Sequence, residues 1–179
     1  MKALRNLVAA LLGIGAVLAA MLVAPVVATA KDAGNAAAPR AVQAKAAKPF
    51  YRGCKRSGRF NEGRFDYTTD AVLAGRCATS RIKGINLISS YSGHHPSANK
   101  ALDIMVNLKG SCSAGRATGN RVARYMMNNA GKHGVRYIIW KNSYWAAGSG
   151  TKKLSNWRQG MHSGSCTTRH YDHVHVAFR

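Results

Sequence analysis

The chain has 179 residues and a hydrophobic content of 46%, which suits one domain of ordinary size and excludes a chain too small or too polar to bury a core. Its 27 Lys and Arg residues outnumber its 6 Asp and Glu residues, so the formal net charge is +21. A surface this basic attracts polyanions, and the candidates are nucleic acid, anionic lipid and the acidic polymers of a cell wall.

Residues 1–30 have the pattern of a signal peptide for export. Lys2 and Arg5 precede an uncharged apolar run over residues 7–23, and Ala28-Thr29-Ala30 offers a small-x-small cleavage site. An uncleaved membrane anchor is the alternative, because the apolar run is long enough to cross a bilayer. In both cases we expect the folded part to lie outside the cytoplasm, secreted or associated with the cell wall.

The rest of the chain divides into a linker and one folded domain. Residues 31–49 are rich in Ala, lack aromatic residues and read as a linker, which leaves residues 50–179 for the domain. The patterns predict an α+β domain with flanking helices beside a small, mostly antiparallel sheet. In chain order they predict a helix over Thr68–Cys77 with Thr68 or Thr69 as N-cap, strands over Ile82–Ser89 and Ala101–Asn107, a helix over Gly119–Lys132 stopped by Gly131 and Gly134, and strands over Val135–Trp140 and Asp172–Phe178.

Four cysteines, Cys54, Cys77, Cys112 and Cys166, all follow the predicted signal. An even number of cysteines in an oxidising compartment predicts two disulfides. Of the three pairings that four cysteines allow, we favour Cys54–Cys77 with Cys112–Cys166, because the first pair would close a local N-terminal unit. No two of these cysteines have the C-x-x-C spacing of a zinc finger.

Acidic side chains are rare in the domain, and their positions are informative. Between Ala71 and Arg179 the only carboxylate side chains are Asp103 and Asp172, and both are embedded in apolar strands. Burying an unpaired carboxylate is costly, whereas a metal or an ion pair offsets that cost. An ion pair with an arginine is therefore the structural alternative to a metal site.

Histidines cluster around both carboxylates. His94 and His95 precede Asp103, whereas His170, His173 and His175 surround Asp172. Because residues i and i+2 of a strand share a face, His173 and His175 should point the same way. Two histidines and one carboxylate, with an open fourth position, form the ligand set of a catalytic zinc site.

The segments SGHHPSANKALDIMV, YIIW and RHYDHVHVAF resemble the D-alanyl-D-alanine carboxypeptidase-like (LAS/hedgehog-type) zinc metallopeptidases, over roughly residues 68–179. The resemblance implies that fold, with Asp103 and His175 as zinc ligands. It also implies Asp172 as the catalytic acid and base and His173 as a supporting residue that acts through hydrogen bonds.

Two features depart from the pattern of that family. Six residues usually separate the first ligand histidine from the aspartate, but here His95 leaves seven and His94 leaves eight. The S-x-H spacing from Ser92 favours His94, and His95 stays open. The family also often has an arginine just before this histidine, which is absent here, so Arg76 or Arg81 would have to substitute for it.

The resemblance implies a secreted, zinc-dependent peptidase that cleaves stem or cross-bridge peptides of peptidoglycan and is a monomer. We expect its partners to be those peptides and anionic wall polymers, with no specific nucleic acid and no membrane contact beyond the signal. A non-catalytic wall-binding module is the main alternative. A secreted nuclease is disfavoured, because the sequence has no Gly-rich phosphate loop and no HNH-like pattern. Five aromatic residues could line a cleft or pack in the core: Tyr137, Trp140, Tyr144, Trp145 and Trp157.

Overall fold

The computed structural model describes residues 49–179. The predicted signal peptide and all of the predicted linker except Pro49 lie outside the described residues, so these two assignments stay predictions. Within residues 49–179, none of the helices has the length and apolar character needed to span a bilayer.

A six-stranded sheet forms the framework of the domain, with the strand order β1-β2-β6-β3-β4-β5. Every pairing between neighbouring strands is antiparallel, which confirms the α+β class predicted from the sequence. The strands are β1 (Leu87–Ser89), β2 (Ala101–Met105), β3 (Val135–Trp140), β4 (Ser143–Ala146), β5 (Arg158–Gln159) and β6 (His173–Phe178).

Three helices, α1 (Thr69–Arg81), α2 (Arg116–Asn128) and the short α3 (Ala130–His133), accompany the sheet. The Thr68 side chain caps α1 by accepting a hydrogen bond from the backbone N–H of Ala71, at 3.4 Å. Alternate residues of the strands, such as Val174 and Val176 of β6, pack against α1 and α2 to form the main core. The other face of the sheet carries a smaller apolar cluster around Tyr137 and Ile139, and that face is free to carry polar groups.

The observed elements differ from the predicted ones mainly at their ends. Helix α1 continues to Arg81, and the predicted strand over residues 82–89 shortens to β1, because Gly84 adopts φ +90° in a turn. The predicted helix over residues 119–132 starts earlier and breaks at Asn129 into α2 and α3. Gly131 lies inside α3, and Gly134 ends it with φ +65°. The strand over residues 135–140 has the predicted bounds.

Strands β4 and β5 were not predicted. The β3–β4 hairpin turns through Lys141 and Asn142, both at positive φ (53° and 57°). A two-residue turn of this kind is usually marked by glycine. Because neither position is glycine, the turn was not recognised from the sequence.

Both disulfides form with the predicted pairing. Cys54–Cys77 ties the start of the domain to α1, and Cys112–Cys166 ties the loop before α2 to the segment before β6. Their Cα–Cα distances are 4.4 and 5.1 Å, and the described residues contain no free cysteine. Two disulfides fit a protein that folds outside the cytoplasm.

Candidate metal centre

Two neighbouring interior strands bring an aspartate and a histidine together on the face of the sheet opposite the helices. Asp103 of β2 and His175 of β6 are direct cross-strand partners. His173 lies two residues before His175 and shares its face, whereas Val174 and Val176 face the main core, as the strand alternation predicted. His94 reaches the same point from the loop between β1 and β2.

Three side-chain atoms of this group form a nearly equilateral triangle. His94 Nε2 lies 2.8 Å from His175 Nδ1 and 3.1 Å from Asp103 Oδ1, and the last two atoms are 3.2 Å apart. Ligands of a tetrahedral zinc ion, at 2.0–2.1 Å from the metal, are separated by about 3.3 Å. The residues present therefore fit a metal ion, because the spacing and the two-nitrogen, one-oxygen donor set both match.

The two candidates for the first ligand, His94 and His95, have different surroundings in the structure. His94 is 5% exposed and belongs to the triangle. His95 instead directs Nδ1 to the Tyr137 hydroxyl, at 2.7 Å. The eight residues between His94 and Asp103 include a single turn of 3₁₀ helix over Ala98–Lys100, which takes up the extra length.

His94 is held in place by groups that the sequence analysis did not identify. Ser90 Oγ lies 2.6 Å from His94 Nδ1, and both residues are buried. The Tyr91 ring stacks on the His94 ring, with centroids 4.5 Å apart. When the Nδ1–H of His94 donates to Ser90, the Nε2 lone pair faces Asp103 and His175, which is the tautomer that metal ligation requires.

The electrostatics of the triangle also suit a cation. Burial would raise the pKa of Asp103, but hydrogen bonds from His175 and His94 and the nearby His173 hold it well below its ordinary value. Burial lowers the pKa of His175, against the opposing effect of Asp103. The site therefore presents an ionised carboxylate beside a neutral imidazole, which are the protonation states that bind metals.

Asp172 contacts this group only through His173. Its Oδ1 lies 2.6 Å from His173 Nδ1, and its Oδ2 accepts a hydrogen bond from Thr167 Oγ1 at 2.5 Å. Asp172 is 3% exposed and is not among the residues that line the cavity, whereas His173 Nε2 lies 3.6 Å from Asp103 Oδ1. Burial would raise the pKa of Asp172, but the hydrogen bonds from Thr167 and His173 lower it, so the carboxylate is ionised.

The triangle lies in a cavity of about 760 Å³. Tyr137 and Tyr144 line it and stack on each other at 5.5 Å, and Tyr137 also stacks on His175. Trp140, Trp145 and Trp157 instead pack in the main core. The predicted aromatic set therefore divides between the cavity and the core.

His170 also lines the cavity, beside His173 and His175. Its ring centroid lies 4.6 Å from that of His173, and its φ of 54° is unusual for a residue other than glycine. Burial, together with the neighbouring His173 and His175, lowers the pKa of His170 to about 3, so this ring is neutral.

Neither arginine considered from the sequence lines the cavity. Arg76 pairs with Glu62 through nitrogen–oxygen distances of 2.8 and 2.6 Å, and Arg81 bonds the Phe50 carbonyl. Arg136 of β3 lines the cavity instead. The register of β3 against β6 shifts between Val135 and Tyr137, so Arg136 is the extra residue of a bulge. A bulge that re-aims one side chain cannot be read from strand periodicity.

A family model described as VldE, C-terminal domain, matches residues 61–171. The match covers more than half of the chain and includes His94 and Asp103. Searches of curated proteins and of solved structures gave no match.

Proposed function

The chain belongs to the VldE C-terminal domain family, and we propose that it is an extracytoplasmic, zinc-dependent peptidase that hydrolyses peptides of peptidoglycan. The observation that carries this proposal is the triangle of His94, Asp103 and His175 in the wall of a large cavity. Three protein ligands with an open fourth position are typical of catalytic zinc sites, whereas structural zinc sites have four. Bound there, zinc supplies a Lewis acid that polarises a carbonyl group and acidifies water.

His173 and Asp172 would together transfer the proton of the attacking water to the leaving group. Asp172 is ionised and accepts the Nδ1–H of His173, which leaves the lone pair of His173 Nε2 facing the cavity beside Asp103. In this arrangement His173 accepts a proton from the attacking water and passes it to the leaving amine, while Asp172 orients the ring and stabilises its charged form. The proposal gives Asp172 a role in catalysis that acts through His173.

The shape and charge of the cavity support a peptide substrate. The stacked rings of Tyr137 and Tyr144 line it and offer flat apolar surface. Arg136 also lines it and adds a positive charge suited to a carboxylate of a short peptide. The two disulfides and the net charge of +21 fit a protein that works among anionic wall polymers.

One observation favours a second candidate, a wall-binding module on the same fold. Among residues 49–179, the only ion pairs of Lys or Arg side chains are those of Arg56 and Arg76 with Glu62. Most cationic side chains in this part of the chain are therefore available to anionic polymers. Such a module would keep the metal and the charge but release no peptide fragments.

The experiment compares the wild type, Asp172→Asn and the matched control Asp66→Asn, which changes an exposed carboxylate. We measure zinc content, binding to purified cell walls, and peptide fragments released from purified peptidoglycan. Asp172→Asn should keep zinc and wall binding but release fragments about 100 to 10,000 times more slowly, because it loses the charge that supports His173.

Two outcomes count against the proposal. Wild type with less than about a tenth of an equivalent of zinc, after purification from zinc-containing medium, would remove the metal site. Wild type that carries zinc and binds walls but releases no fragments would favour the binding module.

A further inference from the structure

A second cavity, of about 440 Å³, lies between α2, the β3–β4 hairpin and the segment that leads into β5. It shares no lining residue with the metal cavity. Two cationic side chains line it, Arg124 of α2 and Lys141 of the hairpin turn, and none of the five carboxylate side chains within residues 49–179 does. An uncompensated pair of charges at a concave surface favours an anionic ligand.

The neighbouring polar groups of this cavity are arranged as donors. Asn120 lies one helical turn before Arg124, so the two side chains share a face of α2. Trp140 Nε1 donates to Asn120 Oδ1 at 2.9 Å, which occupies the amide oxygen and leaves the amide N–H groups of Asn120 to donate. Among the described residues, neither the Arg124 guanidinium nor the Lys141 ammonium has a hydrogen-bond or ion-pair partner.

We infer that this cavity binds a phosphate group, and that the natural carrier of the phosphate is a flexible anionic polymer of linked polyol phosphates outside the cytoplasm. The donors belong to two elements, α2 and the hairpin turn, and the oxygens of a phosphate are arranged tetrahedrally, so they can accept from both elements, whereas the two oxygens of a carboxylate lie in one plane. Leu154 and the ring of Tyr171 supply apolar wall for the carbon chain. A volume of about 440 Å³ is enough for one phosphate with a short stretch of carbon chain and is far smaller than a nucleic-acid duplex.

The phosphate cavity lies next to the metal cavity, so a bound polymer would lie near the metal centre. The backbone N–H groups of Lys141 and Asn142 donate to the carbonyls of His170 and Arg169, at 2.9 and 2.7 Å. His170 lines the metal cavity, and the next residue, Tyr171, lines the phosphate cavity. A polymer bound to Lys141 would therefore lie next to His170, a residue that lines the metal cavity.

The test measures the binding of inorganic phosphate and of sn-glycerol 3-phosphate by titration calorimetry at a fixed ionic strength of about 0.15 M. Arg124→Gln and Lys141→Gln should each weaken binding by about ten-fold or more, because each removes a charged hydrogen bond to the ligand. Arg59→Gln and Lys152→Gln are the matched controls, since they remove the same charges from exposed positions outside the cavity. Melting temperatures check that all four variants fold.

A loss of affinity as large in the controls as in the cavity variants would overturn the site, because it would show attraction by net charge alone. Failure of the wild type to bind either probe would overturn it as well. The carrier is tested with poly(glycerol phosphate) and single-stranded DNA of equal charge. If the DNA binds more tightly than poly(glycerol phosphate), and its binding depends on Arg124, the inference that the carrier is a polyol phosphate polymer is overturned. These readouts concern binding, so they do not depend on whether the metal centre is catalytic.

Discussion

Replacing Ser90 by alanine should weaken zinc binding without altering any of the proposed ligands. The Ser90 hydroxyl lies 2.6 Å from His94 Nδ1, and each residue is 5% exposed, so this hydrogen bond is shielded from bulk water. The variant leaves the Nδ1–H of His94 buried without an acceptor, which costs about 1–3 kcal/mol. The ring can relieve that cost by turning away from Asp103 and His175 or by moving its proton to Nε2, and either change removes the lone pair that a metal needs.

The expected result is a 10- to 100-fold loss of zinc affinity, the range that is typical when a partner behind a ligating histidine is removed. The assay is competition for zinc against a chromophoric chelator, with circular dichroism to verify that the protein is folded. Ser92→Ala is the matched control, since it removes the same hydroxyl from an exposed position two residues further on. Equal zinc affinity of the two variants would refute the reasoning, because His94 would then be no ligand or would need no orientation by Ser90.

Two further predictions concern stability. Gly119→Ala should lower the free energy of unfolding by about 1–3 kcal/mol, because a Cβ there would lie 2.1 Å from Trp140 Cζ2. Gly131→Ala is the control, since a Cβ there meets no atom within 4 Å, and it should stabilise the protein by up to about 1 kcal/mol. Urea unfolding measures both changes. Burial lowers the pKa of His133 from 6.5 to about 4. The folded protein therefore loses stability as the pH falls from 6.5 towards 4, because protonation of this histidine favours the unfolded state. The free energy of unfolding falls by at most about 3 kcal/mol over this range. His133→Phe should therefore lose less stability than the wild type between pH 7 and pH 5, and parallel curves would contradict this.

The strands that carry the proposed ligands were predictable because their patterns are local. Alternation in β6 placed His173 and His175 on one face, and the scarcity of acids drew attention to Asp103. The choice between His94 and His95 depends on a loop whose path is set by contacts with Ser90 and Tyr137, which lie outside any periodic pattern.

The contacts of Asp172 were harder to predict than those of Asp103 and His175. Sequence spacing placed it three residues before His175, but β6 begins only at His173, so strand alternation does not apply to Asp172. Thr167 and His173 determine the direction of its carboxylate, and Thr167 belongs to a loop with no repeating pattern. Similarly, only the β3 bulge brings Arg136 to the metal cavity.

The direct pairing of Asp103 with His175 has a consequence for folding. A shift of β2 against β6 by one residue would move every side chain of the shifted strand to the opposite face and separate the two groups. Only the correctly aligned sheet can therefore offer this pair of groups to a metal ion. A ligand that binds only the native state stabilises that state by mass action, so zinc would favour the correctly aligned chain over its misaligned forms.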